Sequence, residues 1–340
     1  MSELIIDGNE IKLGERKKIS LNVAKLYDFT EVNIPLEVIR GKKEGPTLFI
    51  SGCIHGDEIN SVEIIKRLLN HKLLKKIKGT LIAIPVVNVF GFNDKSRYMP
   101  DRRDLNRCFP GSENGSLAGR IAYKFMNEIV NKCDYGVDLH TAAIHRNNLS
   151  QIRACLDEDE TKSLAEVFNV PVIINSDIRD GSLRQSARDL KIPMLLFEGG
   201  EALRFDDKIA TSALQGILSL MCKIGMLNDN DYSSIKKKET FIARSSNWIR
   251  APHSGTIVLK KKLGDFVKKD QVIGIISDPF GKHKFKVISK YEGIVIGLVT
   301  LPLLNNGDAI AHIATFKNAE EVEENINIFE EQINDLEISI

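Results

Sequence analysis

Between Pro46 and about Gly225, short β-branched or apolar runs alternate with stretches whose apolar residues recur at helical spacing. That alternation is the pattern of a sheet covered by helices, an α/β domain. The strand candidates are Thr47–Ser51, Thr80–Val87, Gly136–His140, Val170–Asn175 and Met194–Phe197. Between them, Val62–Lys76 places Ile65, Leu68, Leu69 and Leu73 on one helical face, and Leu117–Asn131 does the same with Ile121, Phe125 and Ile129. Ser116 stands where the second helix needs its N-cap.

After roughly Asn228 the pattern changes. A polar run, Asp-Asn-Asp-Tyr-Ser-Ser, and three lysines precede short strands punctuated by Gly255, Gly264, Gly274, Gly281, Gly293 and Gly307, which reads as a compact all-β module. Its segments from Ala251 (Ala-Pro-His-Ser-Gly-Thr-Ile-Val) and Ser289 (Ser-Lys-Tyr-Glu-Gly-Ile-Val-Ile) can be overlaid, and each is followed by a Gly-Asp pair, at 264–265 and 307–308. An internal duplication is the expectation. From Lys317 onward, Val322, Ile326, Phe329, Ile333, Leu336 and Ile340 recur at 4-3-4-3-4 spacing among eight acids and one lysine. This predicts an acidic amphipathic helix docked on its own domain, too short for a coiled-coil seam. The expected organisation is therefore 1–228, including an N-terminal β extension over about 1–45, then 240–317, then the tail 318–340.

A length of 340 residues agrees with two domains. Lys and Arg (47) nearly cancel Asp and Glu (46), so no global field draws in nucleic acid or an anionic membrane. The five cysteines are scattered without a CxxC pair, which speaks against a disulfide framework or a thiolate zinc site and fits a reducing compartment. The N-terminal segment lacks an unbroken apolar stretch, and nothing later approaches 18 uncharged apolar residues. A cytoplasmic protein is expected.

Chemistry concentrates at predicted strand ends, where open α/β sheets bind ligands. The strand at 47–51 runs through a glycine turn into His55-Gly-Asp-Glu58, whose imidazole and carboxylate are three residues apart. Such a pair alone is more often a salt bridge or a helix-end contact. A third donor, His140, closes the strand in Tyr135-Gly-Val-Asp138-Leu-His140. Two histidines and a glutamate with one open position make the zinc-hydrolase arrangement, in which bound water becomes acidic enough to attack a carbonyl. Asp138 shares the face of His140 in an extended segment and can orient it. The loop from Arg97 to Gly111 carries four arginines, Arg97, Arg102, Arg103 and Arg107, suited to bidentate carboxylate binding and to an oxyanion. Glu198, after the apolar strand Pro193–Phe197 and before two glycines, is the candidate general base. The remaining histidines, His71, His145, His253, His283 and His312, read as ordinary surface or packed residues.

Taken together, His-Gly-Asp-Glu at 55–58, Asp-Leu-Asn-Arg-Cys-Phe-Pro-Gly at 104–111, Asp-Leu-His at 138–140 and Phe-Glu-Gly at 197–199 resemble the succinylglutamate desuccinylase/aspartoacylase family, within the zinc-carboxypeptidase-like superfamily. The likeness covers about Pro46 to Arg204. It implies an α/β fold with a mixed sheet flanked by helices, one Zn2+ per chain on His55, Glu58 and His140, and Glu198 as acid/base. It also implies that Asn106 and Arg107 hold a substrate carboxylate. In relatives an arginine upstream of the Asp-Leu-Asn-Arg motif polarises the scissile carbonyl, and here Arg97, Arg102 and Arg103 compete for that role, with Arg102 favoured. The Asp-Gly-Ser-Leu-Arg run at 180–184 resembles a pattern in relatives and adds Arg184, with Arg179 and Arg188 nearby, as pocket charge.

The C-terminal module resembles the barrel-sandwich hybrid of lipoyl and biotinyl domains, without their carrier-lysine motif at Lys282 or Lys284. Its expected role is to frame the site's mouth or an oligomer contact, with Tyr291 in reach of the site. The expected activity is a zinc-dependent amidohydrolase acting on non-peptide linear amides, with an N-acyl amino acid or similar small carboxylate as substrate. The alternatives are a metallocarboxypeptidase acting on short peptides and, further off, a non-catalytic member of the fold.

Overall fold

Buried strand runs and amphipathic helices assemble here around one mixed sheet of 13 strands. The computed structural model describes residues 3–176, 179–228, 232 and 240–337. The polar run and lysines anticipated as a linker fall at 229–238 and, except for Tyr232, lie outside the described residues, as does Ile340.

Four parallel strands form the centre of the sheet: Met194–Glu201, Tyr135–Ala142, Thr47–Gly52 and Thr80–Ile84. Thr47–Gly52 alternates its large side chains, sending Leu48 and Ile50 to one face and Phe49 to the other. The first face is covered by the helices Asn60–Asn70, Asp159–Val167 and Asp207–Lys223. Their Ile64, Ile65, Leu68, Leu164, Ile217 and Leu218 are buried with the strand residues Val137, Leu139, Leu195 and Phe197. Each such side chain contributes about 1.5–3 kcal/mol by leaving water. The second face is covered by Leu117–Glu128 and Leu183–Asp189, through Ile121, Phe125, Leu183 and Ala187. Ser116 caps the first of these, its hydroxyl accepting from the Gly119 N–H at 3.2 Å.

The hairpin Arg16–Lys25/Glu31–Arg40 extends the sheet antiparallel at one edge. On the other side Met194–Glu201 pairs antiparallel with Arg146–Ala154, a strand absent from the sequence-based expectation. Beyond it the ladder continues without interruption into the C-terminal strands Gly293–Val299, Ala309–Thr315 and Ser245–Arg250. A separate four-stranded sheet, including Gly255–Leu259 and Val272–Ser277, packs against this end through Ile257, Ile273, Ile276, Val295, Ile310 and Ile313. This is the C-terminal all-β region.

The two overlaid segments have the same local geometry. Gly255 and Gly293 take φ of 149° and 156°, and a Cβ at either would strike a backbone carbonyl oxygen, at 2.4 and 2.1 Å. Gly264 and Gly307 follow at 86° and 89°. The aspartate after each accepts from the backbone N–H three residues before it, Asp265 from Lys262 at 3.0 Å and Asp308 from Asn305 at 2.7 Å. The tail forms a helix over Ala319–Glu337 with Val322, Ile326 and Ile333 buried on the molecule's own surface. Among the described residues no helix is long and apolar enough to cross a membrane.

Candidate active site

The carboxyl ends of the central strands converge on one cavity of about 510 Å³. At the end of Thr47–Gly52 the chain turns sharply at Cys53, in the left-handed region with φ 49°, and passes Gly91 so closely that a Cβ on Gly56 would lie 2.0 Å from its carbonyl carbon. A side chain there would clash with backbone, so the HisGlyAspGlu turn requires its glycine. The turn folds His55 back onto Glu58, with Nδ1 2.7 Å from Oε1. His140, on the neighbouring parallel strand, brings its Nδ1 2.7 Å from Oε2 of the same carboxylate.

All three residues are buried, and one donor atom from each lies within 4.8 Å of the others. The outer ring nitrogens meet carboxylates: His55 Nε2 is 3.1 Å from Asp104 Oδ1 and His140 Nε2 2.6 Å from Asp138 Oδ2. Asp138 is itself held by the Ser51 hydroxyl at 2.7 Å. Two imidazoles and a carboxylate, each imidazole backed by a second carboxylate, fit a divalent metal such as Zn2+.

The electrostatics are those of a compact charge cluster. Burial would raise the Glu58 carboxyl, but His55 and His140 beside it hold it far below the usual range. Burial opposes charge on His140, yet Asp138 and Glu58 raise it well above an ordinary histidine; Glu58 and Asp104 raise His55 against the same opposition. Asp104 is half-buried, and partial burial would raise it, but His55 and Arg97 hold it low.

The arginines of the 97–111 loop separate in space. Arg97 lines the cavity, 3.0 Å from Asp104 Oδ2 and 3.4 Å from Glu58 Oε1. Arg102 does not: it sits at φ 61° on an exposed turn, its N–H donating to the Met99 carbonyl at 2.8 Å. Arg103 is likewise exposed, 3.6 Å from Asp101. Asn106 and Arg107 both line the cavity. The Asn106 side-chain oxygen accepts from the Leu183 N–H at 2.9 Å, leaving its NH2 group as the available donor. Arg184, beside them, donates to Ser176 Oγ at 2.8 Å; burial and the nearby Arg153 lower its pKa. Arg179 also lines the cavity, whereas Arg188 is exposed and pairs with Glu158 at 2.8 Å.

Glu198 pairs in register with His140 across parallel strands and faces the same cavity. Its Oε2 accepts from Asn148 Nδ2 at 3.1 Å and lies 2.8 Å from Arg153 Nε, both from the unanticipated Arg146–Ala154 strand. Ser246, Trp248 and His312 of the C-terminal strands close another side. His312 is therefore no ordinary packed histidine. It stacks on Trp248 at 4.4 Å, and the Arg146 guanidinium lies 5.4 Å from the indole centroid. The pairing of Trp248 with His312 on adjacent strands sets this stack, and nothing in the local spacing signals it. Tyr291, expected near the site, packs instead with the C-terminal core.

The chain is similar to known proteins along most of its length. It is 26% identical over 302 residues to the N-alpha-acetyl-L-2,4-diaminobutyric acid deacetylase of Halomonas elongata, covering 83% of this chain and 86% of that one. The product-bound Ectoine utilization protein EutE (DoeB) from Ruegeria pomeroyi superposes with a TM-score of 0.79 at 22% identity, covering 90% of this chain and 97% of that one. A succinylglutamatedesuccinylase/aspartoacylase structure from Rhodobacter sphaeroides gives 0.78 at 21%, covering 88% and 96%. Residues 44–224, more than half the chain, match the model of the succinylglutamate desuccinylase/aspartoacylase catalytic domain. That match shows that the chain belongs to the succinylglutamate desuccinylase/aspartoacylase family.

Proposed function

We propose that this protein is a Zn2+-dependent amidohydrolase that cleaves the amide bond of an N-acyl amino acid or a similar small carboxylate. The observation that carries the reading is the meeting of His55, Glu58 and His140 at the strand ends, in one cavity with Glu198 and several arginines. His55, Glu58 and His140 would hold Zn2+, which would supply Lewis acidity to water and to the substrate carbonyl. Glu198 takes the proton of the attacking water and returns it to the leaving amine nitrogen as the C–N bond breaks. Arg97, rather than Arg102, donates to the carbonyl oxygen as charge develops there, because Arg97 faces the cavity. Asn106, Arg107 and Arg184 receive the substrate carboxylate.

Cavity size and closure favour an acyl amino acid over a peptide. A volume of about 510 Å³ suits a small ligand, and Trp248 and His312 form part of the wall that bounds it. The name of the Halomonas relative, a deacetylase of an acylated amino acid, supports the same class.

A ninhydrin screen of Zn2+-loaded protein against N-acyl amino acids and dipeptides tests the reading. New amine is expected from at least one acyl amino acid, with dipeptides slower. Rapid release from dipeptides alone would establish a carboxypeptidase, and no turnover of either class would leave a non-catalytic member of the fold.

A further inference from the structure

The mechanism assigns Glu198 a proton to take and return but leaves open what holds its carboxylate still. Strand Arg146–Ala154 answers that. It runs antiparallel to the strand of Glu198, with Arg153 opposite Leu196, Gln151 opposite Glu198 and Asn148 opposite Gly200. Arg153 and Asn148 thus approach Glu198 from its two sides along the strand. Both reach the same oxygen, Oε2, at 2.8 and 3.1 Å. Among the described residues no hydrogen bond reaches Oε1. The ion pair is largely sheltered, with side-chain exposures of 20% on both partners.

We propose that Arg153, assisted by Asn148, is a positioning residue for Glu198: the two fix one carboxylate oxygen so that the other is presented to the reacting water and amine. The proposal rests on the reading of Glu198 as the base. Its physical basis is orientational. A glutamate side chain has several rotamers, and a proton acceptor gains rate only when held within hydrogen-bond reach of its donor. An ion pair from Arg153 and a hydrogen bond from Asn148 on one oxygen restrict the carboxylate and leave the second oxygen's lone pairs available. Arg153 itself exchanges no proton. The competing role for Arg153 is to join the adjacent Arg184 in binding the substrate's carboxylate, since both line the cavity.

Kinetics of Arg153→Ala on the N-acetyl amino acid best cleaved in the screen separate the two roles. Positioning predicts a fall in kcat of about 10- to 100-fold, the usual range for supporting partners, with KM nearly unchanged. Added guanidinium ion is expected to restore part of the lost kcat, and Arg153→Lys to retain more activity than Arg153→Ala. Asn148→Ala should show the same kcat-only signature more weakly, and it keeps the test alive where Arg153→Ala folds poorly by circular dichroism. In a Glu198→Gln background, Arg153→Ala should cost less than about a further twofold, because residues acting through one another are not additive. A raised KM with kcat retained, or additive losses in the double variant, would overturn the proposal. Full activity of Glu198→Gln by itself would instead remove the base reading, whatever Arg153 does.

Discussion

Glu58 is the hinge of the site at the scale of single residues, since both its oxygens face imidazoles and it sits in the fully buried turn between strand and helix. Glu198 does different work, and Glu198→Gln separates the two. The variant should bind Zn2+ with wild-type stoichiometry yet lose about 10²- to 10⁴-fold in kcat, read by metal analysis beside steady-state kinetics. His312 makes a prediction of another kind. Burial and the nearby Arg153 lower its pKa to about 3, from 6.5 in an unfolded chain. The unfolded state therefore binds more protons between those values, so the stability owed to neutral His312 is present above pH 6.5 and drains away as pH falls toward 3. His312→Phe, which keeps a ring against Trp248, should lose less stability than wild type between pH 7 and pH 4.5, measured by urea midpoints. Equal acid sensitivity in both proteins would assign that loss elsewhere. The meeting of His55, Glu58 and His140 was legible from the sequence, because each stands at the end of a strand that the apolar pattern marks and the linked motifs pair them. Which arginine of the loop faces the cavity was not, because four arginines in one loop are equivalent until the fold leaves Arg102 exposed on a left-handed turn and Arg97 in the cavity wall.

Among the elements, strands rich in β-branched and apolar residues announced themselves, and Arg146–Ala154 did not. Its sequence, Arg-Asn-Asn-Leu-Ser-Gln-Ile-Arg-Ala, is too polar to read as a buried strand, yet Asn148, Ser150 and Gln151 are buried. Two of its polar side chains, Asn148 and Arg153, contact Glu198, which accounts for polar residues where composition would favour apolar ones. This strand also joins the catalytic sheet to the C-terminal strands. Gly297 lies opposite Asn148, and a Cβ there would come 2.7 Å from the Asn148 side-chain oxygen and 3.3 Å from His312 Cβ. Gly297→Ala should destabilise the fold by about 1–3 kcal/mol through overpacking and lower kcat by displacing Asn148. Thermal unfolding and kinetics on the same preparation check both halves; an unchanged kcat in a destabilised protein would show that the C-terminal strands only support the fold.

The molecule as a whole carries almost no net charge, 47 basic against 46 acidic residues, and gathers arginines around one cavity. A uniform surface field would be indiscriminate, whereas local positive charge beside the His55–Glu58–His140 cluster fits the small anionic substrate proposed for it. Continuity of the sheet makes the C-terminal strands a wall of that cavity through Trp248 and His312. Sequence pattern identified the C-terminal strands and their duplicated glycine turns, and the resemblance put their module at the site's mouth, but not which residues reach the cavity, because that depends on pairing between segments more than 140 residues apart. Zn2+ dependence rests on the His55–Glu58–His140 centre. Its most direct test is the metal content of purified protein by mass spectrometry, beside His140→Ala, after equilibration with Zn2+ and removal of excess. About one Zn2+ per chain in wild type, lost in the variant, is the predicted result; wild-type protein that retains none, or a variant that retains as much, would contradict it.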